Sequence, residues 1–183
     1  MKYRNPIISG YNPDPSICRV GEDYYIVNSS FEFYPGVPVY HSRNLVNWEL
    51  EGYCLTEESQ LDLHGCRPSG GIYAPTIRYH QGTFFMTTTN TSGKGNFIVH
   101  TSDMKKGWSQ PAWVDQGGID PSLLFDDDGT VYFASTSMDS EGNTGIFLCQ
   151  VNPFTGERLT ESVVISRGCG GRYAEGPHLY KWF

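Results

Sequence analysis

The stretch NPDPSICRVGEDYYIVNSS, residues 12–30, sets a lone carboxylate, Asp14, between Pro13 and Pro15 and follows it with two β-rich runs joined at a glycine. Proline locks its own φ and pushes the residue before it toward extended backbone. Asp14 is therefore expected to be held extended and aimed, a rigidity that a merely solvated carboxylate does not need. The two runs around the Gly-containing turn predict a hairpin.

Three further stretches follow the same plan: IYAPTIRYHQGTFFMTTTN (72–90), GIDPSLLFDDDGTVYFAST (118–136) and YAEGPHLYKWF (173–183). Each has a proline with an apolar residue two positions on, and the first three continue through a Gly-containing turn into an aromatic pair or near-pair. The marker prolines Pro15, Pro75, Pro121 and Pro177 are spaced by 60, 46 and 56 residues. The first interval has independent support, because Ser42 and Trp48 in HSRNLVNW recur 60 residues later as Ser102 and Trp108. More short strands are expected, such as NFIVHTS (96–102) and GIFLCQV (145–151), and no stretch shows a 3.6-residue period.

Turn-rich, aromatic-rich repeats of about 45 to 60 residues, each with roughly four strands, read as blades of a β-propeller. A β-sandwich is the alternative. A propeller needs at least about four blades. This chain of 183 residues supplies three and the first strand of a fourth, so it is expected to be a truncated form of something longer. The unpaired edge of that last strand would invite association unless covered, and a homo-oligomer is one way to cover it.

Composition narrows the function. Gly 21, Pro 11, 14% aromatic and 18% charged residues describe an all-β globular chain rather than a helical or disordered one. The net charge of −7 argues against nucleic acid or an anionic membrane surface as partner. Cys18, Cys54, Cys66, Cys149 and Cys169 are odd in number and widely spaced, which indicates reduced thiols in a cytoplasm rather than a zinc site or a full disulfide set. The N-terminus has no apolar stretch of signal-peptide length, and no window reaches membrane-spanning length. The N-x-S/T triplets at Asn28 and Asn90 carry little meaning in that compartment. Serine-hydrolase, zinc-protease and nucleotide-loop motifs are absent.

The residues just before the marker prolines are Asp14, Ala74, Asp120 and Gly176, with Glu175 one step earlier in the fourth repeat. If the repeats gather their first strands around an axis, three of the four bring a carboxylate to one place. Like charges held close raise each other's proton affinity. A pair of carboxyls, one protonated and one ionised, is the apparatus of glycoside hydrolysis.

The chain resembles glycoside hydrolase family 43, of the β-xylosidase and α-L-arabinofuranosidase type. The likeness runs through NPIISGYNPDPSI, YYIVNSSFEFYPGVPVYHSRNLVNWEL, GGIYAPTIRYHQGTFF, GGIDPSLLFDDDGTVYF and YAEGPHLYK, in that order. It implies a five-bladed propeller, here truncated to about three blades plus the first strand of the fourth, in one incomplete domain over residues 1–183. It implies inverting hydrolysis of terminal β-1,4-xylosyl or α-L-arabinofuranosyl residues of xylan-derived oligosaccharides. Asp14 would be the general base and Glu175 the general acid. Asp120 would hold the acid in place and, through its own negative charge, keep it protonated. No cofactor or metal ligand is expected. A sugar-binding propeller module, or a catalytically silent fragment, is the reading from a different class.

Sugar faces are apolar and stack on rings, so Phe31 and Tyr73, beside Ala74, are the expected subsite walls. Arg172 and His178 flank the acid. Trp48 and Trp108 are expected to be packing anchors, DDDG (126–129) a solvated hairpin turn, and His41, His64, His80 and His100 structural.

Overall fold

A computed structural model of the chain describes residues 3–170 and 173–181. Three four-stranded sheets follow one another along it. The first is β1 (Ser16–Val20), β2 (Asp23–Val27), β3 (Gly36–Ser42) and β4 (Glu49–Leu55). The second is β5 (Thr76–His80), β6 (Thr83–Asn90), β7 (Gly95–Thr101) and β8 (Ala112–Trp113). The third is β9 (Ile119–Phe125), β10 (Val131–Met138), β11 (Thr144–Gln150) and β12 (Val163–Ser166). Every pairing is antiparallel between neighbours in sequence. Among the described residues the one helical element is a 3₁₀ turn at Met104–Lys106, capped by the Asp103 side chain accepting from the Lys105 N–H.

The repeats coincide in register. Ser16 pairs with Val27, Thr76 with Thr87 and Ser122 with Ala134, each being the residue after a marker proline. The hairpin turns differ. Two residues, Gln81 and Gly82, both at positive φ, close β5–β6, as a primed turn requires. The DDDG segment closes β9–β10 with a longer loop in which Asp126 N–H donates to Thr130 O at 2.8 Å. Lys181 pairs with Asp126, and with Asp127 at 2.7 Å, so this turn also anchors the end of the chain.

The core lies between the sheets rather than within any one of them. Phe84, Met86, Phe97 and Val99 of the middle sheet pack with Val27, Val39, Cys54 and Leu55 of the first. The alternate residues Phe85 and Ile98 pack with Leu123, Phe133 and Cys149 of the third. Side chains on a strand point alternately to opposite faces. The middle sheet is covered on both, so β6 is buried from Phe84 through Asn90. The outer strand β12 is exposed throughout. Trp108 joins the core, as expected of an anchor, whereas Trp48 is only half-buried.

The first strands stand side by side, β1 against β5 and β5 against β9. Ser16 Oγ accepts from the Ile77 N–H at 3.1 Å. Arg78 donates through Nε to Leu123 O at 3.0 Å. The expected first strand of a fourth repeat is not a strand: residues 173–181 have no assigned strand. Side-chain bonds tie them to the third sheet, for example Thr136 Oγ1 donating to Ala174 O at 3.2 Å.

All five cysteines are unpaired, with Cys54 and Cys149 buried. Burial pushes the Cys18 thiol up to about 12. Asn28 and Asn90 are buried, so neither triplet is presented for modification. No described helix is long and apolar enough to cross a membrane.

Candidate active site

Asp14 and Ala74 lie two residues ahead of β1 and β5. Asp120 is the second residue of β9, at the place where its register with β10 shifts between Ala134 and Thr136. Asp14 is not extended, contrary to what its two prolines suggest. Its φ is 53°, Asp120 has 56° and Gly176 has 63°. Proline disfavours the right-handed helical region for its predecessor. Left-handed backbone is tolerated by glycine and, among the others, best by residues with a short polar side chain. Asp, Asp and Gly occupy it here, and Ala74 does not.

The turn at Asp14 is pinned by the end of β2. Asn28 Nδ2 donates to Asn12 O and to Pro13 O, both at 3.0 Å. The Ser29 N–H donates to Pro13 O at 3.2 Å, and Ser29 Oγ donates to Asp14 Oδ2 at 2.5 Å. Asp14 itself is exposed.

Asp120 is half-buried, and its carboxyl is pushed up to about 6. Burial is the largest cause, followed by the negative charge of Glu175; the Gly176 N–H, donating to Oδ2 at 3.2 Å, pulls the other way, and the charge of Asp14 adds to the rise. Both other candidate carboxylates therefore act on Asp120. Glu175 is exposed, in the segment tied down by Thr136, Asp120 and Lys181.

Phe31, also at positive φ (48°), forms a two-way backbone bridge with Ile72, its N–H donating at 2.9 Å and its O accepting at 3.0 Å. Gly71, at φ +82°, makes this approach feasible, since a Cβ there would stand 2.3 Å from Phe31 O. The Phe31 and Tyr73 rings meet edge to face at 5.6 Å, and Tyr11 stacks on Phe31 at 6.1 Å. Tyr73 OH donates to Ser69 O at 3.1 Å, and the Ser69 N–H donates to Glu32 Oε2 at 3.1 Å, so the 62–71 loop braces the wall. A bulky non-glycine residue in left-handed backbone is uncommon and tends to mark functional segments.

His178 lies 3.3 Å from Arg78 through Nδ1, and burial together with the Arg78 charge lowers its proton affinity. Arg172 lies outside the described residues. Sequence reasoning passed over Ser29, Asn28, Tyr11 and Arg78. The repeat held a signal for the first: two residues past the partners Val27, Thr87 and Ala134 come Ser29, Thr89 and Thr136, a hydroxyl each time.

A cavity of about 640 Å³ opens at the other ends of β5 and β9, lined by His80, Phe85, Phe125 and Phe154. Asp128 is its one carboxylate, which leaves it without an acid–base pair. No group of three or more potential metal ligands occurs among the described residues.

The sequence profile of Glycosyl hydrolases family 43 matches residues 3–182. The chain belongs to this family. One relative of the family 43 chain is a non-reducing end alpha-L-arabinofuranosidase of Bacteroides ovatus. It is 48% identical over 184 residues, which cover 98% of this chain and 34% of that protein. A xylosidase/arabinosidase of Humicola insolens is 42% identical, over 97% of this chain and 35% of that protein. A solved xylan beta-1,4-xylosidase from Bacillus halodurans has 38% identity and a TM-score of 0.91, over 99% of the family 43 chain and 37% of that structure. The family 43 chain thus spans about a third of the length of the curated relatives it matches.

Proposed function

We propose that this chain carries the acid–base machinery of an inverting glycosidase acting on terminal β-1,4-xylosyl or α-L-arabinofuranosyl residues of xylan-derived oligosaccharides. The three sheets are read as consecutive blades of a five-bladed propeller, and residues 1–183 as part of that single domain. The observation that carries the proposal is the Asp120 carboxyl, pushed up to about 6 by burial and by the charges of Glu175 and Asp14. Carboxylates from three separate repeats crowd one spot, and such crowding suits a site that keeps one acid protonated beside an ionised base.

Asp14 takes the proton of a water whose oxygen attacks the anomeric carbon. Glu175 gives its proton to the departing glycosidic oxygen. Inversion requires the two to stand about 6.5 to 9.5 Å apart, with the water between base and sugar. Asp120 accepts from the Gly176 N–H, next to the acid, and so orients that segment. Phe31, with Tyr73 and Ala74, forms the wall against which the terminal sugar stacks.

The test compares leaving groups. Glu175→Gln is expected to abolish turnover of xylobiose while sparing p-nitrophenyl β-xyloside, whose phenolate departs without a proton. Asp14→Asn loses both. Unchanged xylobiose turnover by Glu175→Gln overturns the assignment. A ligand-dependent rise in melting temperature with no product from the unaltered chain would instead indicate a sugar-binding module.

A further inference from the structure

We infer that Ser29 is a positioning residue for Asp14, setting which carboxylate oxygen faces the attacking water; the inference rests on Asp14 being the base. Ser29 is 5% exposed, so its hydroxyl has little access to solvent as a partner. Its one proton goes to Asp14 Oδ2 at 2.5 Å. A charge-assisted bond of this kind is short and strong, and it ties up one oxygen of the carboxylate. Oδ1 is left to take the proton of the water.

The backbone beneath is fixed from the same place. The Ser29 N–H and Asn28 Nδ2 both donate to Pro13 O. Asn28 Nδ2 also holds Asn12 O, while Tyr40 OH donates to Asn12 Oδ1 at 3.1 Å. Main chain and side chain of the base are thus positioned by one pair of adjacent residues at the end of β2.

The other repeats indicate that this use of the hydroxyl is specific. At the corresponding place in the second sheet, Thr89 Oγ1 donates to Asn96 Oδ1 at 2.6 Å, and the pre-proline residue is Ala74, which needs no donor. In the third, Thr136 Oγ1 donates to Ala174 O, and Asp120 receives the Gly176 N–H instead. Fold alone does not require the hydroxyl to face the carboxylate, because two equivalent hydroxyls face elsewhere.

The experiment uses p-nitrophenyl β-xyloside and α-L-arabinofuranoside, so that protonation of the leaving group does not limit the rate. Ser29→Ala is expected to lower kcat by about 10- to 100-fold, the scale of a misplaced catalytic group, with KM within about twofold, and Ser29→Thr to restore most of it. In an Asp14→Asn background Ser29→Ala should cost nothing further. Full turnover by Asp14→Asn would sink the functional reading itself. Loss with Asp14→Asn but none with Ser29→Ala would sink only this inference, as would equal losses in the Ala and Thr variants. A readout independent of turnover is the Ser29 hydroxyl proton in the folded chain. It should appear by NMR as a slowly exchanging resonance with a nuclear Overhauser effect to Asp14 Hβ, and vanish in Asp14→Asn. A freely exchanging hydroxyl overturns the inference.

Discussion

Asp14 and Asp120 hold the same place in two repeats: each precedes a proline, and their φ angles, 53° and 56°, differ by less than the width of the left-handed region. Their surroundings differ in every respect that matters to a proton. Asp14 is exposed and receives a hydroxyl from Ser29. Asp120 is half-buried, faces the charges of Glu175 and Asp14, and has a single backbone donor against them. One backbone geometry therefore holds two carboxylates in different surroundings, and the neighbouring groups make the difference.

The largest effect that tests this contrast is on turnover. Asp14→Asn should lower kcat on an activated pentoside by about 10²- to 10⁴-fold, the usual contribution of a general base. Under the proposed roles Asp120→Asn should cost at least about tenfold less, because there Asp120 acts through the acid, which an activated leaving group bypasses. Equal losses would erase the distinction.

The aromatic group of Phe31, Tyr73 and Tyr11 rests on a close backbone approach, and Gly71 is its weak point. Gly71→Ala sets a Cβ against Phe31 O in left-handed backbone, so urea unfolding should show a loss of about 2 to 4 kcal/mol. Gly82→Ala, at φ +84° with nothing within 4 Å, carries only the backbone strain and serves as the comparison. Similar losses would mean that Phe31 yields easily.

A smaller effect concerns pH. The Asp120 carboxyl titrates near 6 when folded and near its ordinary 3.8 when unfolded. Between those values the native state binds the extra proton, so the contribution of Asp120 to stability is full below about pH 4 and is lost as pH rises through 6. Water that still reaches the carboxyl reduces the penalty to about 1 to 2 kcal/mol. Asp120→Asn should therefore gain stability on the parent chain between pH 4 and pH 7.5 by that amount. A difference that stays flat over this range would show that Asp120 is not crowded.

The smallest effect falls on the Asp120 donor. Gly176→Ala meets no atom within 4 Å but must adopt φ +63°, a strain of about 1 kcal/mol. Chemical denaturation should register it, and loosening of the Gly176 N–H should move the stability–pH curve toward higher pH. An unmoved curve would mean that the bond to Asp120 survives.

Much of this was legible in the residues. The marker prolines gave the repeat, and the register pairs Ser16–Val27, Thr76–Thr87 and Ser122–Ala134 follow its alignment. Grouping Asp14, Asp120 and Glu175 needed only the assumption that equivalent strand starts lie together. The left-handed turn at Asp14 was misread, because the rule for the residue before a proline bars one region of backbone space without choosing between those that remain. Ser29 was overlooked because one serine in VNSSF looks like another until its direction is known. Residues 173–181 read as a strand because their pattern matches β1, yet no strand is assigned among them, since a local pattern does not by itself set the ladder geometry.

By itself, the sequence determined that the chain is all-β, built of repeats, and carries acids at corresponding points, because alternation, turn residues and spacing are local properties of the chain. Only the tertiary structure decided which sheet is covered on both faces, which hydroxyl turns toward a carboxylate, and which aspartate is pushed up to about 6. Burial and electrostatic fields are set by residues from 15 positions away (Ser29 to Asp14) to 106 (Asp14 to Asp120), and those neighbours exist only once the sheets have packed.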